Sequence, residues 1–323
     1  MPRKVVCREL GPPGRLRLEN FDSVPLAAGQ VRVAVRAAGI NFPDVLMAAG
    51  EYQLKPELPF TPGVESAGDV VEVNGVSDVA VGDRVIVKFR HGGYADEVVV
   101  TPSQLTPLPS TFDYAEGATF LAGHGTAYHG LFDRGKVQPG EVLLVHGAGG
   151  GVGLAAVEIG KILGATAIAT ASSEEKLEVA RARGADHLVL YSREPFRDAV
   201  KRITDGRGAD VVYDPVGGQI FEDSVRCIAW GARLLVIGFT GGIGLARTNL
   251  LLIKGASVLG VRAGEAVRRN PALGEVRIRT LLEWAEQGKI RPNVSHRMPL
   301  EDYAAAMRLL VDRKAIGRVA LMM

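Results

Sequence analysis

The stretch Val142-Leu143-Leu144-Val145-His146-Gly147-Ala148-Gly149-Gly150-Gly151-Val152-Gly153 decides the fold. Four apolar residues run without alternation, the pattern of a strand buried on both faces. Glycines follow at once. Leu154-Ala155-Ala156-Val157-Glu158-Ile159-Gly160-Lys161-Ile162-Leu163 then reads as a helix packed on small residues. A strand, a glycine turn and a helix start make a phosphate site: backbone N–H groups point outward, the helix dipole favours an anion, and glycine admits a pyrophosphate close to the backbone. The register Ala148-x-Gly150-x-x-Gly153 fits the dinucleotide fingerprint with alanine in the first glycine's place. A glycine turn alone also serves a helix that must pack closely on a sheet, so the weight falls on the rest of the chain.

Downstream, strand and helix patterns alternate. Buried strands are expected at Thr166–Ala171, His187–Leu190, Val211–Val216, Arg233–Gly238 and Ser257–Val261, with helices between them such as Glu174–Arg183 and Phe196–Thr204. Six such strands with helical crossovers describe a doubly wound parallel sheet. Upstream, short strands are punctuated by Pro and Gly: Val31–Ala37 alternates with period two, and Gly68–Val76 runs into an Asn-Gly turn. Strands near Gly82–Val87 and Gly92–Val100 complete the pattern of a small barrel, and Asp113–Ala118 opens a helical linker. The last portion reads as a helix at Ala272–Gln287, a strand near Val294, a helix at Leu300–Val311 and a strand at Gly317–Leu321. The fold class is therefore α/β, a β-barrel domain plus a doubly wound sheet. The expected domains are residues 1–122, completed by about 262–323, and a Rossmann domain at 123–261.

The chain of 323 residues is 47% hydrophobic and 23% charged, as in a globular enzyme, with ample length for a core. A formal charge of +2 makes no global case for nucleic acid or a membrane surface. No apolar run of about 18 residues suggests a membrane span. The start, Met1-Pro2-Arg3-Lys4-Val5-Val6, is too charged for a signal peptide. Two cysteines, Cys7 and Cys227, cannot build a disulfide framework or a multi-thiolate metal site, so a reducing cytoplasm is the expected compartment.

Several segments, in order, resemble the zinc-free medium-chain dehydrogenase/reductases of the quinone oxidoreductase (zeta-crystallin-like) branch. They are Ala38-Gly39-Ile40-Asn41-Phe42-Pro43-Asp44, Pro62-Gly63-Val64-Glu65-Ser66-Ala67-Gly68, Val81–Val85, Gly92-Gly93-Tyr94-Ala95, Thr126-Ala127-Tyr128, the glycine stretch and Gly184-Ala185-Asp186-His187. The resemblance implies a GroES-like domain that holds substrate, a Rossmann domain that holds NADPH and a site in the cleft between them. Zinc-dependent relatives place a Cys ligand where Asn41 stands and a His where Val64 stands. Neither residue can replace a thiolate or an imidazole on zinc, so no metal is expected. His91, His124, His129 and His146 read as satisfied core or surface histidines.

The cofactor is read at the end of the second strand. An NAD site usually puts a carboxylate about 20 residues past the glycines, to accept from the ribose 2′-OH. Ser172 holds that position, and a hydroxyl can donate to a 2′-phosphate without repelling it. Ser172-Ser173-Glu174-Glu175 also reads as a helix N-cap with dipole-compensating acids. Glu174 or Glu175 turned inward would favour NADH. By resemblance, Lys176 is the 2′-phosphate lysine, Tyr191 closes on the same phosphate, and Arg313 supplements it. Gly150, Gly151 and Val152 would receive the pyrophosphate. Thr126 resembles the residue beside the nicotinamide, and Gly238-Phe239-Thr240 ends the fifth strand, where open α/β sheets bind ligands.

For the chemistry, Asn41 is the expected substrate-facing donor at the vacated zinc position, its amide aimed where negative charge develops on a carbonyl oxygen. The alternative for it is a loop asparagine bonding its own backbone. Tyr52 matches a family tyrosine lining the pocket, as donor or as wall. Leu46 stands where the family often carries a second tyrosine, which makes the pocket more apolar. Asp44 reads as structural, capping Val45-Leu46-Met47. The expectation is an NADPH-dependent reductase of a quinone or conjugated carbonyl. The alternatives are a reductase of a small activated alkene (a 2-alkenal, acrylate or enoyl thioester) and a non-enzymatic NADPH-binding or sensing protein. Ser257–Val261 reads as an exposed edge strand, and relatives pair across it, so a homodimer is expected.

Overall fold

A computed structural model describes all residues from Met1 to Met323 as two compact units, Gly123–Arg291 and Met1–Ala122 with Pro292–Met323. The unit Gly123–Arg291 is built on a six-stranded sheet. Its order is His187–Leu190, Thr166–Ala171, Val142–Val145, Ala209–Asp214, Ile228–Val236 and Ser257–Gly260. Every neighbouring pair is parallel. In chain order the strands therefore lie 3-2-1-4-5-6, the doubly wound arrangement expected from the sequence. Val142–Val145 sits at the centre and all four of its residues are buried, which is why the stretch shows no alternation. Helices Gly151–Ile162, Glu174–Ala182 and Phe196–Ile203 follow the first three strands, and Gly218–Ser224 and Thr248–Lys254 the next two. Leu144, Ile168, Val189, Val212 and Leu234 share one core with Phe196 and Phe221 from the helices.

Residues 262–291 belong to this unit and not, as the sequence reading had them, to the closing part of the other one. The helix Pro271–Glu286 is held there by a buried arginine, whose apolar neighbours gave no hint of its partner. The Arg277 guanidinium reaches His129 Nδ1 and Asp133, each at 3.1 Å, and Trp284 stacks at a tilt on Tyr128.

In the other unit the strands Val294–Pro299, Arg318–Met322, Gln30–Ile40, Glu65–Asn74, Arg84–Lys88 and Leu105–Pro107 are neighbours in that order, and Glu97–Val100 also pairs with Gln30–Ile40. The closing strand lies antiparallel on Gln30–Ile40, with Val319 opposite Ile40 and Leu321 opposite Ala38, so the unit is discontinuous in sequence. Val31, Val33 and Val35 point inward with Val70, Val85, Val87, Val98 and Val100. Period two puts those alternate side chains on one face, as expected of a small barrel.

Candidate dinucleotide site

The glycine turn is pinned between strand ends. His146 donates its N–H to Tyr213 O at 3.0 Å, Ala148 to Thr170 O at 3.0 Å and Gly150 to Gly147 O at 2.9 Å. Gly147 takes a left-handed φ of 56°, which glycine adopts without strain. The helix Gly151–Ile162 starts immediately, with Gly150 as its extended N-cap and no side chain capping it. The first-turn N–H groups have no intrahelical carbonyl to bond, so they are available to an anion on the positive end of the helix. Gly153 lets that end come down onto the turn: a Cβ there would lie 2.3 Å from Gly147 O.

Beneath the turn, His146 is wholly buried between two hydroxyls. Its Nδ1 lies 2.9 Å from Thr170 Oγ1 and its Nε2 2.8 Å from Ser224 Oγ. Ser224 spends its own proton on Ile220 O at 2.7 Å, so it must accept from Nε2–H, and Nδ1 accepts from Thr170. Burial holds the imidazole down to about 3, so it is neutral and ties three elements together. The other histidines are also engaged. His124 meets Glu158 at 2.9 Å, His129 meets Asp133 at 2.7 Å, and His91 packs edge-on against Phe60.

The residues expected at the adenosine end come together. Ser173 caps the helix Glu174–Ala182 and accepts from Lys176 N, while Lys176 Nζ donates to Ser172 Oγ at 3.4 Å. The stem of Lys176 crosses Gly149: a Cβ on that glycine would lie 2.5 Å from Lys176 Cβ and 2.7 Å from Cγ. Tyr191, just past the third strand, is exposed and donates its N–H to Ala171 O, beside Ser172. Glu174 is not turned inward but faces Arg193 at 2.7 Å. The group presented here is a hydroxyl with an ammonium, which fits a 2′-phosphate better than a bare ribose hydroxyl.

Gly238, Phe239 and Thr240 close the fifth strand. Thr240 donates from both its N–H and Oγ1 to Pro215 O, at 3.4 and 3.3 Å. Pro215 and Val216 in turn lie against Gly147. The ends of the first, fourth and fifth strands thus meet where the sheet order reverses, the place where open α/β sheets bind ligands. Phe239 is exposed there. Thr126 is half-buried on the helix Leu121–Tyr128 of the same unit. Arg313 is not brought to these residues within that unit. It stands in the other one, in an exposed turn with φ 56° after the helix Tyr303–Val311.

The expectation for Asn41 is corrected. Its amide does not stand open as a donor but is committed inside its own unit. Oδ1 accepts from Arg318 at 2.8 Å, and Nδ2 donates to Gly39 O at 3.2 Å and to Glu65 Oε1 at 3.4 Å. Glu65 Oε1 also accepts from Arg318 at 2.7 Å, and Oε2 accepts from Ala122 N at 2.9 Å. Glu65 is 1% exposed and the Arg318 side chain 8%. Burial pushes the Glu65 carboxyl up and the Arg318 charge draws it back. Glu65 and Arg318 were not singled out from the sequence, where the only signal was a charge set in each of two apolar runs. Asp44 has the structural role expected of it. It sits at the start of the helix Phe42–Ala49 and accepts from Asn41 N, Gly63 N and the Tyr94 hydroxyl. Burial pushes its carboxyl up to about 7, while these three donors pull it down. Tyr52 is half-buried and packs on the core cluster that includes Met47 and Phe60. No three His, Cys, Asp or Glu side chains gather as a metal site.

Two family models match the chain. "Alcohol dehydrogenase GroES-like domain" covers residues 27–110 and "Zinc-binding dehydrogenase" residues 151–278. A quinone oxidoreductase-like protein 2 homolog of Nematostella vectensis is 38% identical over 99% of this chain and 88% of its own length. Among solved structures, a quinone oxidoreductase of Pseudomonas syringae pv. Tomato DC3000 is similar with a TM-score of 0.89, 30% identity and full coverage of both chains. A mycobacterial protein complexed with NADPH is similar with a TM-score of 0.90 and 28% identity, over 99% of this chain and 100% of that one.

Proposed function

We propose, from the premise that this chain belongs to the quinone oxidoreductase branch of the medium-chain dehydrogenase/reductase oxidoreductases, that it is an NADPH-dependent reductase of a quinone or conjugated carbonyl. The observation that carries the cofactor reading is Lys176, laid over Gly149 with its ammonium on Ser172, while Glu174 is drawn away to Arg193. The first-turn amides of Gly151 and Val152 would take the pyrophosphate, with Gly150 admitting it to the backbone. Ser172 and Lys176 would donate to the 2′-phosphate, and Tyr191 would close over it. Thr126 and the Gly238–Thr240 backbone would hold the nicotinamide end. The bound nicotinamide supplies the hydride. The chain supplies position and exclusion of water.

On the substrate side, the protein needs no strong acid, because a reduced quinone or enolate takes its proton from water. Asn41 enters this reading as a positioning residue. Through Arg318 and Glu65 it fixes the turn that leads into the helix Phe42–Ala49. Tyr52 serves as an apolar wall. Leu46 is half-buried on the helix Phe42–Ala49 and favours a second reading, reduction of a small activated alkene, which uses the same hydride geometry.

The test is a steady-state panel that follows NADPH loss with 1,4-benzoquinone, 9,10-phenanthrenequinone, a 2-alkenal and an acrylate. Quinone turnover is expected. Tight NADPH binding with no turnover of any acceptor would defeat the enzyme reading in favour of a binding or sensing role. Lys176→Ala should weaken NADPH at least tenfold, as expected for loss of a charge-assisted hydrogen bond of about 1.5–3 kcal/mol, and leave NADH unchanged. Equal effects on both would sink the phosphate assignment.

The homodimer belongs to the same proposal. Ser257–Gly260 is the outer strand of its sheet, with Val258 36% exposed. Trp230, 78% exposed, lies against Gly255 just before it, and Leu252 and Ile253 are exposed on the preceding helix. An edge with this much apolar surface pairs readily. Light scattering that gave a monomer would refute it. No helix is long and apolar enough to cross a membrane, and both cysteines are free and buried, which suits the cytoplasm.

A further inference from the structure

Asp214 ends the fourth strand and is 2% exposed. Burial pushes its carboxyl up, and two backbone N–H groups draw it back. Both bond the same oxygen: Oδ1 accepts from Val216 N at 2.8 Å and from Gly217 N at 2.9 Å. The side chain thus closes the turn Asp214-Pro215-Val216-Gly217 on itself. The proline ring fixes one φ in that turn. Gly217 takes φ 72° and ψ −155°, a conformation that suits glycine.

The residues after the fifth strand rest on this turn. Asp214 O accepts from Ile237 N at 2.9 Å and from Gly238 N at 3.4 Å. Pro215 O accepts from Thr240 N and Oγ1, and Val216 O accepts from Gly241 N at 2.7 Å. The backbones also approach closely: a Cβ on Gly217 would lie 2.3 Å from Gly242 O. We infer that Asp214 is a positioning residue for the nicotinamide half of the cofactor: its carboxylate holds the turn whose carbonyls set the Gly238-Phe239-Thr240 backbone. This rests on the reading above that the same backbone holds the nicotinamide end, and it adds a residue that acts through the turn. Without Oδ1, the Val216 and Gly217 N–H groups lose their acceptor. The turn is then free to rotate, and the carbonyls that hold Thr240 and Gly241 rotate with it. Ser172 and Lys176 follow the second strand, which pairs with the first and third strands and not with the fourth. The loss therefore falls on one end of the cofactor.

The experiment measures dissociation constants of NADPH, NADH, 2′,5′-ADP and ADP on the full chain by titration calorimetry. The fluorescence of the bound reduced nicotinamide is recorded alongside. The ratio of NADPH to 2′,5′-ADP, or of NADH to ADP, isolates the nicotinamide half. Asp214→Ala should worsen both ratios about tenfold, as two lost hydrogen bonds allow, and change 2′,5′-ADP and ADP less than about twofold. The bound nicotinamide's emission should move toward that of the free cofactor. Asp214→Asn should keep the wild-type ratios, because its one amide oxygen can accept both N–H groups. Unchanged ratios in Asp214→Ala would overturn the inference. So would equal weakening of all four ligands, as plain damage to the sheet. Asp214→Asn failing like Asp214→Ala would also overturn it, because the charge and not the turn would then matter. If the wild type binds NADH more tightly than NADPH, the NADPH reading fails, while the NADH to ADP ratio still decides the role of Asp214. A wild type that binds none of the four overturns both. If Asp214→Ala does not fold, Asp214→Ser replaces it, since a hydroxyl closes such turns more weakly. A worsened ratio with 2′,5′-ADP binding kept supports the role, and an unchanged ratio overturns it.

Discussion

Replacing Arg318 by methionine should cost this protein several kcal/mol, in a way that depends on pH. The methionine fills the space of the arginine stem but leaves the Glu65 carboxylate, 1% exposed, without its cation at 2.7 Å. Removing one partner of a buried pair typically costs about 3–5 kcal/mol, because the other charge is stranded. Here the cost has a ceiling, since Glu65 can escape by taking a proton. From an ordinary value of 4.5, protonation at pH 7 costs roughly 3.4 kcal/mol at 1.36 kcal/mol per pH unit. Asn41 Oδ1 also loses its donor, which adds about 1 kcal/mol. The sum is about 4 kcal/mol at pH 7 and, with less to spend on the proton, about 2 kcal/mol at pH 5. In the variant the folded carboxyl is raised above its unfolded value, so its penalty is absent below pH 4.5 and grows as pH rises.

The assay is urea unfolding of wild type and variant at pH 5 and pH 7. Both tryptophans, Trp230 and Trp284, lie in the other unit, so unfolding is followed by far-UV circular dichroism. Adding Glu65→Gln to Arg318→Met should recover most of the loss, since the stranded charge is gone and the amide keeps the Ala122 N–H as a donor. A loss below about 1 kcal/mol, or one equal at both pH values, would refute the argument that Glu65 is ionised and held by Arg318.

Two further outcomes follow from the unit Gly123–Arg291. His146, held down to about 3 by burial, stays neutral in the fold while the unfolded chain takes up a proton below 6.5. Stability should therefore fall by about 2 kcal/mol between pH 7 and pH 5. Tryptophan fluorescence in urea reads this, and His146→Asn should flatten the slope by that amount. The Tyr213 hydroxyl is buried without a hydrogen-bond partner, so Tyr213→Phe should raise stability by about 1 kcal/mol. A drop in the same unfolding midpoint would show that the hydroxyl is satisfied.

What could be read from the sequence, and what could not, divides by the range of the interaction. The six parallel strands were legible because full burial leaves continuous apolar runs such as Leu143-Leu144-Val145, and glycines punctuate their ends. That Ser172 and Lys176 meet at one junction was legible because strand, cap and helix start lie within a few residues of each other. The assignment of 262–291 went wrong because the helix Pro271–Glu286 is placed by Arg277 on Asp133, a contact that periodicity does not carry. Asn41 was misread for a related reason. Its position suggested a free amide, but the residue that occupies it, Arg318, comes from a strand at the far end of the chain.

The two buried charge systems then have different meanings. A buried ion pair is weak grounds for stability, since an apolar replacement of both members often does as well. Glu65 and Arg318 nevertheless join the Gln30–Ile40 end, the Ala122 N–H and the closing strand at one point. The pair is better understood as fixing which segments meet than as holding them tightly, and it sits at the residue, Asn41, whose backbone begins the helix Phe42–Ala49. Lys176 is the opposite case: a charge on the exposed side, 3.4 Å from Ser172, with little to contribute to stability. Its fixed element is the stem over Gly149, which orders the side chain before any anion arrives and so lowers the entropy lost on binding. Lys176→Ala and Arg318→Met therefore separate: the first moves cofactor selectivity with little change in stability, and the second moves stability at constant selectivity.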